Sequence, residues 1–165
     1  MEHGFEFGLI AKFAVGSNPV SLAFDGTNTW VTNNSSDTVT KLLASTGAVV
    51  GTYTVGSGPI GVAFDGANIW VANYVSNNVT KLLGSTGAVV GTYSVGNEPY
   101  GVAFDGSNIW VTNSGSSNVT KLLTRNGTVV GTYPVGTEPY GVAFDGTDIW
   151  VANEGSNTVS RIPDF

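Results

Sequence analysis

Residues 61–83 read GVAFDGANIWVANYVSNNVTKLL, and residues 101–123 read GVAFDGSNIWVTNSGSSNVTKLL. The same phrase surrounds Trp30 and Trp150, so Trp30, Trp70, Trp110 and Trp150 recur every 40 residues. Residues 56–95 and 96–135 share 27 of 40 positions, and their differences gather in short stretches. A fixed period of this length marks supersecondary units that cannot bury their apolar faces alone and therefore stack.

Within one period, Gly61 to Asp65, Ile69 to Asn73, Asn78 to Leu83 and Ala88 to Val95 are rich in β-branched and aromatic residues. Asp65-Gly66-Ala67-Asn68, a polar stretch from Tyr74 to Asn77, and Ser85-Thr86-Gly87 separate them. Such spacing predicts four short antiparallel strands per repeat. No segment carries a helical period long enough to compete. Four strands per 40 residues is the unit of a β-propeller, in which each sheet packs face to face on the next. Small residues such as Gly61 and Ala63 on the inner strand, with Phe64, Trp70, Leu82 and Leu83 further out, suit a blade that tapers toward the axis.

The motif P-x-G-V-A-F-D-G-x-N-I-W-V-x-N-x-x-S-x-N-V-T-K-L resembles the YVTN and NHL-like propeller repeats, including those of the virginiamycin B lyase family. The resemblance spans residues 16–162. It implies an all-β propeller of four-stranded antiparallel blades, of WD40-like architecture, in rings of six to eight blades. It also implies, for the lyases, histidines and a glutamate acting with a divalent metal. The repeat positions of this chain supply no histidine, His3 being the only one, and Glu154 is the nearest match to the glutamate.

The 165 residues are 41% hydrophobic and 11% charged, with 23 glycines at recurring turn positions, which describes a folded chain. Net charge is −6, and Lys12, Lys41, Lys81, Lys121, Arg125 and Arg161 form no cluster, so neither nucleic acid nor an anionic membrane is an expected partner. With no cysteine, disulfides and thiolate chemistry are excluded. The start Met1-Glu2-His3-Gly4 lacks a signal-type apolar core and no apolar run spans a bilayer, so the expectation is a soluble chain of undetermined compartment.

The phase of the repeat bears on closure. Residues 8–15 align with 48–55, a fourth strand, whereas Val159 to Ile162 align with Val119 to Leu122, a third strand. The organisation read here is a leader at 1–7 and propeller repeats at 8–165, with 8–15 as closing outer strand and blades beginning near 16, 56, 96 and 136. Pairing that first strand with the last blade removes an exposed edge. Two chains exchanging these strands make an eight-bladed homodimer, the reading favoured here; one chain closing on itself makes a four-bladed monomer.

Candidate ligand residues come from the loops that vary. The outer-to-inner loops carry Asn18, Gly58, Glu98 and Glu138, followed by Val20, Ile60, Tyr100 and Tyr140; the loops after the second strand carry Asn34, Tyr74, Ser114 and Glu154. Glu98, Tyr100, Glu138 and Tyr140 pair an acid with an aromatic on adjacent blades, a combination that hydrogen-bonds and stacks a polar ring. Asn73, Asn113 and Asn153, with Glu154, complete the candidate set, and Asn33 shares their position; the alternative for the asparagines is backbone capping. Asp25, Asp65, Asp105 and Asp145 read as turn residues rather than metal ligands, and no cofactor, metal or catalytic residue is assigned. Lys41, Lys81, Lys121 and Arg161 are expected to lay their stems on apolar surface with the charge in water.

These readings converge on a non-catalytic scaffold or binding module. It assembles by strand exchange and takes any small polar ligand, glycan or peptide at the loop-rich channel face. A lyase or hydrolase of the virginiamycin B lyase type, and a structural, engineered or recently amplified repeat without a selected ligand, stand as alternatives.

Overall fold

A computed structural model of the chain describes residues 10–163. Strands β1 (Pro19–Phe24), β2 (Asn28–Asn33), β3 (Thr38–Leu43) and β4 (Val49–Thr54) form the first antiparallel sheet in chain order. β5 (Pro59–Phe64), β6 (Asn68–Asn73), β7 (Asn78–Leu83) and β8 (Val89–Ser94) form the second. β9 (Pro99–Phe104), β10 (Asn108–Asn113), β11 (Asn118–Leu123) and β12 (Val129–Pro134) form the third, and β13 (Pro139–Phe144), β14 (Asp148–Asn153) and β15 (Thr158–Pro163) the last. No helix among the described residues is long and apolar enough to cross a membrane.

The core lies between sheets. Trp30 and Val39 of the first sheet pack with Val62, Ile69, Val71 and Leu82 of the second, and equivalent clusters join the second to the third and the third to the last. Coverage on both faces explains why burial along β2 and β3 is nearly continuous, Thr32, Asn33, Thr40 and Lys41 included, rather than alternating. The inner strands pack β1 on β5, β5 on β9 and β9 on β13. At Gly61 an added Cβ would run into the Tyr100 carbonyl, and at Gly101 into that of Tyr140, so glycine lets neighbouring inner strands approach.

Each aspartate of the Asp-Gly turns does more than turn the chain. Asp65 Oδ1 accepts the amides of Ala67 at 2.9 Å and Asn68 at 2.7 Å, while Oδ2 accepts the Trp70 indole N–H at 2.7 Å. The indole bond recurs at 2.8 Å for Trp30–Asp25 and at 2.6 Å for Trp110–Asp105 and Trp150–Asp145. The aspartate therefore supplies the partner that a buried indole N–H requires.

The lysines overturn the expectation of a solvated charge. Lys41 and Lys81 are 4% exposed; Lys41 Nζ donates to the Gly84 carbonyl at 2.7 Å and Lys81 Nζ to that of Thr124 at 2.6 Å, each in the next sheet's outer turn. Their ammonium groups also lie 4.9 and 5.0 Å from the ring centres of Trp30 and Trp70, within cation–π range. The cause is that the neighbouring turn presents carbonyls where the side chain ends. Arg161 keeps the expected exposure and sits 3.6 Å from Asp148.

Junctions between sheets alternate. Thr32 Oγ1 donates to the Ile60 carbonyl and Thr112 Oγ1 to that of Tyr140, at 2.8 and 2.9 Å, whereas Ala72 and Ala152 hold the matching positions in the second and last sheets. The loops after β2 and β10 likewise contain 3-10 turns, Asn34–Ser36 and Ser114–Ser116.

Among the described residues no closure forms: residues 10–15 make no strand and β15 has no partner on its outer side, while residues 8–9 of the expected closing strand and the leader at 1–7 lie outside the described residues. Phe13 instead covers Gly47, occupying the space of a Cβ there, as Tyr53 covers Gly87 and Tyr93 covers Gly127 in the following sheets. The initial segment thus lies beside the first sheet, in the position of an outer strand from a preceding blade. Both terminal faces stay open: Leu22 and Val159 are 65% and 64% exposed, and Trp150 is 39% exposed where the other tryptophans are fully buried.

Removing the Asp65 carboxylate strands a buried indole donor. Asp65→Ala is expected to cost about 1–3 kcal/mol in urea unfolding at neutral pH. Burial alone raises these carboxyls, but bonds from the indole and the turn amides outweigh it, bringing Asp25 from 3.8 to about 2 and lowering Asp65 and Asp105. Their stabilising effect is complete above the unfolded-state value and is lost as pH falls toward the folded one. Tryptophan fluorescence should report urea midpoints that are level above about pH 4 and drop between about pH 4 and 2.

Candidate ligand-binding face

The loops preceding each inner strand and those following each second strand meet on one face of the array. Tyr74 N donates to the Gly58 carbonyl at 2.9 Å, Ser114 N to Glu98 at 3.0 Å and Glu154 N to Glu138 at 3.0 Å. A serine two residues further on fastens the same pair of loops, Ser76 Oγ accepting from Ser57 N and Ser116 Oγ from Asn97 N, both at 2.7 Å. Neighbouring blades are tied as well, since Asp37 Oδ1 accepts Gly58 N at 2.9 Å and Asn77 Oδ1 accepts Glu98 N at 2.8 Å. The variable residues therefore stand on a hydrogen-bonded frame.

Tyr100 and Tyr140 come together. Their ring centres are 4.5 Å apart with planes inclined at 48°. They border a cavity of about 330 Å³ whose remaining walls are the inner strands, including Val20, Ile60 and Val142. A larger groove of about 490 Å³ lies between the first two sheets at the opposite end, beside Asp25 and Lys41. Its charged groups are engaged in the turn and in the carbonyl bonds already described, so the smaller channel-side cavity is the better candidate.

Carboxylates act on the tyrosines. Tyr74 titrates above its ordinary value through burial first, then through hydrogen bonding to Glu98 and the Glu98 charge. Burial, followed by the charges of Glu138 and Glu154, likewise pushes the Tyr140 hydroxyl upward. In the sequence Tyr74 stands out only as one of the varying loop residues, beside Asn34, Ser114 and Glu154, and not as a candidate ligand residue.

Glu98 and Glu138 sit in the left-handed region, with φ of 54° and 51°, where the matching positions are Asn18 and Gly58. A side chain there costs about 1–2 kcal/mol relative to glycine. Each carboxylate also needs space next door: a Cβ on Gly115 would lie 3.0 Å from Glu98 Oε2, and one on Gly155 2.9 Å from Glu138 Oε2. Local strain accepted at these positions draws attention to the side chains that cause it.

The asparagines are placed differently from backbone caps. Asn73 Nδ2 donates to Asn78 Oδ1 at 2.8 Å and Thr80 Oγ1 at 2.9 Å, crossing to the third strand. Asn113 and Asn153 bond their third strands in the same way, as does Asn33, and all four are buried. Their Oδ1 atoms have no hydrogen-bond partner in any repeat, so this acceptor belongs to the blade frame as a whole. Asn153 also borders a groove with Tyr140 and Glu154 on the open face of the last sheet.

Glu98→Gly and Glu138→Gly should each raise stability by about 1 kcal/mol by relieving the left-handed backbone. Urea unfolding of the single variants checks this, and Asn18→Gly, where asparagine already tolerates the conformation, should gain less.

No protein-family model matches the chain, and no curated protein sequence does. Solved structures share its fold. A catalytically inactive virginiamycin B lyase from Staphylococcus aureus, with quinupristin, superposes with a TM-score of 0.82 at 22% identity, covering 97% of this chain and 57% of the other. Kuenenia stuttgartiensis hydrazine synthase gives 0.81 at 25% identity, covering 94% and 49%. The computationally designed Ika4 protein gives 0.78 at 13% identity, covering 92% and 94%. The chain thus spans about half the length of the first two and nearly all of the designed protein. Its four stacked antiparallel sheets are those of a repeat β-propeller, like the virginiamycin B lyases and a designed propeller, consistent with the YVTN and NHL-like repeats that its sequence resembles.

Proposed function

We propose that the chain is a non-catalytic propeller scaffold that completes its ring with a second copy of itself and presents the loop-rich channel face to a ligand. The observation that carries the assembly is the seat of Phe13. It covers Gly47 as the outer-strand tyrosines Tyr53 and Tyr93 cover Gly87 and Gly127, and residues 10–15 have no sheet of their own. Trp30, Trp70 and Trp110 each have an outer-strand tyrosine 5.4–5.6 Å away, whereas no such ring contact is formed by Trp150 among the described residues. A second copy offers its Phe13 to that indole and its initial segment to the free side of β15. The exchange is reciprocal, so it closes with twofold symmetry. Support for a wide ring comes from the superposition, in which four blades match little more than half of a larger lyase chain.

The non-catalytic part rests on the residue set. Tyrosines and carboxylates meet at the channel face, and the chain's one histidine, His3, stands outside the repeats.

Light scattering on the 165-residue protein should give twice 17.0 kDa, and Phe13→Asp should shift the mass toward 17.0 kDa with the far-ultraviolet spectrum retained. A mass of 17.0 kDa that does not change with concentration overturns the assembly.

A further inference from the structure

Among the described residues the channel face has one sign of charge, that of Asp37, Glu98, Glu138 and Glu154. The charges of Glu98, Glu138 and Glu154 all bear on the Tyr140 hydroxyl and that of Glu98 on Tyr74, in loops tied together by the Glu98 amide on Asn77 and by the Ser114 and Glu154 amides on the Glu98 and Glu138 carbonyls. From Lys41 onward every basic residue lies on a third strand or in the turn after it, and that turn is at the opposite end of the blades. Lys41 and Lys81 spend their ammonium groups on the neighbouring turn, and Arg161 pairs with Asp148. The Tyr100 and Tyr140 rings are inclined rather than stacked flat, and both border a cavity otherwise lined by Ser21, aliphatic side chains and strand backbone.

A tyrosine face is negative at its centre, and a cation set against it is attracted most strongly where water is displaced. A sugar would seek several hydrogen-bond donors as well as a stacking plane, and apart from the two tyrosine hydroxyls Ser21 is the one lining residue that supplies a donor from its side chain, the others being Val20, Ile60, Val62, Val102, Val142 and glycines. An anionic ligand would meet three glutamates without a balancing base. A compact ammonium ion with an alkyl surface suits both parts of the site.

We propose that the channel mouth binds an organic ammonium ion, its head against the rings of Tyr100 and Tyr140 and its charge balanced by Glu98, Glu138 and Glu154. This rests on the reading of the loop-rich face as the ligand face, but not on ring size, because both tyrosines belong to one chain.

The test is a titration of the intact protein with choline and, separately, with 3,3-dimethylbutan-1-ol, its uncharged isostere, followed by the ring resonances of the tyrosines. Choline should shift the Tyr100 and Tyr140 signals, with the isostere at least tenfold weaker. Tyr140→Leu should weaken choline at least tenfold, Tyr140→Phe little, and the Glu98→Gln Glu138→Gln double variant severalfold, with folding of each confirmed by its tryptophan emission. Equal binding of the isostere overturns the ammonium assignment while leaving the face as a ligand site. Failure of both probes to move either tyrosine overturns the proposal, whatever mass light scattering returns.

Discussion

A carboxylate bound to an indole is the point on which each blade turns. The aspartate at the first turn would be raised in pKa by burial, yet turn amides and the tryptophan N–H hold it ionised. That one bond joins the β1–β2 type of turn to the largest side chain in the repeat. With the indole fixed, its face is available to the lysine of the third strand, and the lysine then reaches into the next sheet. A local turn and a junction between blades are thereby parts of one chain of contacts. Because the ammonium is bonded to carbonyls rather than to an acid, the junction gains a charge-assisted hydrogen bond without a second buried charge.

The strands, the turns and the face carrying the loops were legible in the sequence because each follows from local chemistry repeated at a fixed interval. Asp65-Gly66 between two β-rich runs is a turn whatever the neighbouring blade does. The burial of Lys81 is not legible in sequence because its partner, the Thr124 carbonyl, is 43 residues away and belongs to the backbone, which leaves no side-chain signature. Asn73 presented a similar difficulty: a terminal asparagine suggests a cap, and only the register of β6 against β7 brings it to Asn78 and Thr80. Phe13 covers Gly47 as Tyr53 and Tyr93 cover glycines one blade onward, a relation set by packing between blades.

At the candidate site the legible part was variation. Glu98, Tyr100, Glu138 and Tyr140 stood out because the frame around them does not change, and the structure brings both tyrosines into contact. Tyr74 was harder to single out because its loop varies in all four repeats, so departure from a consensus has no meaning there. Its partner Glu98 comes from the following blade, and the link through Asn77 to the Glu98 amide sets the two loops against each other.

The alternation of threonine and alanine at the junctions gives the array a parity. Thr32 and Thr112 tether the blade that follows, Ala72 does not, and Ala152 repeats the alanine in the last sheet. The building block is consequently a pair of blades, and four blades contain a whole number of pairs. Rings with an even count keep unlike junctions side by side all the way round, whereas an odd count would force two like junctions to be neighbours somewhere. Insertion or deletion of a single blade would leave such a seam, while adding or removing blades two at a time would not.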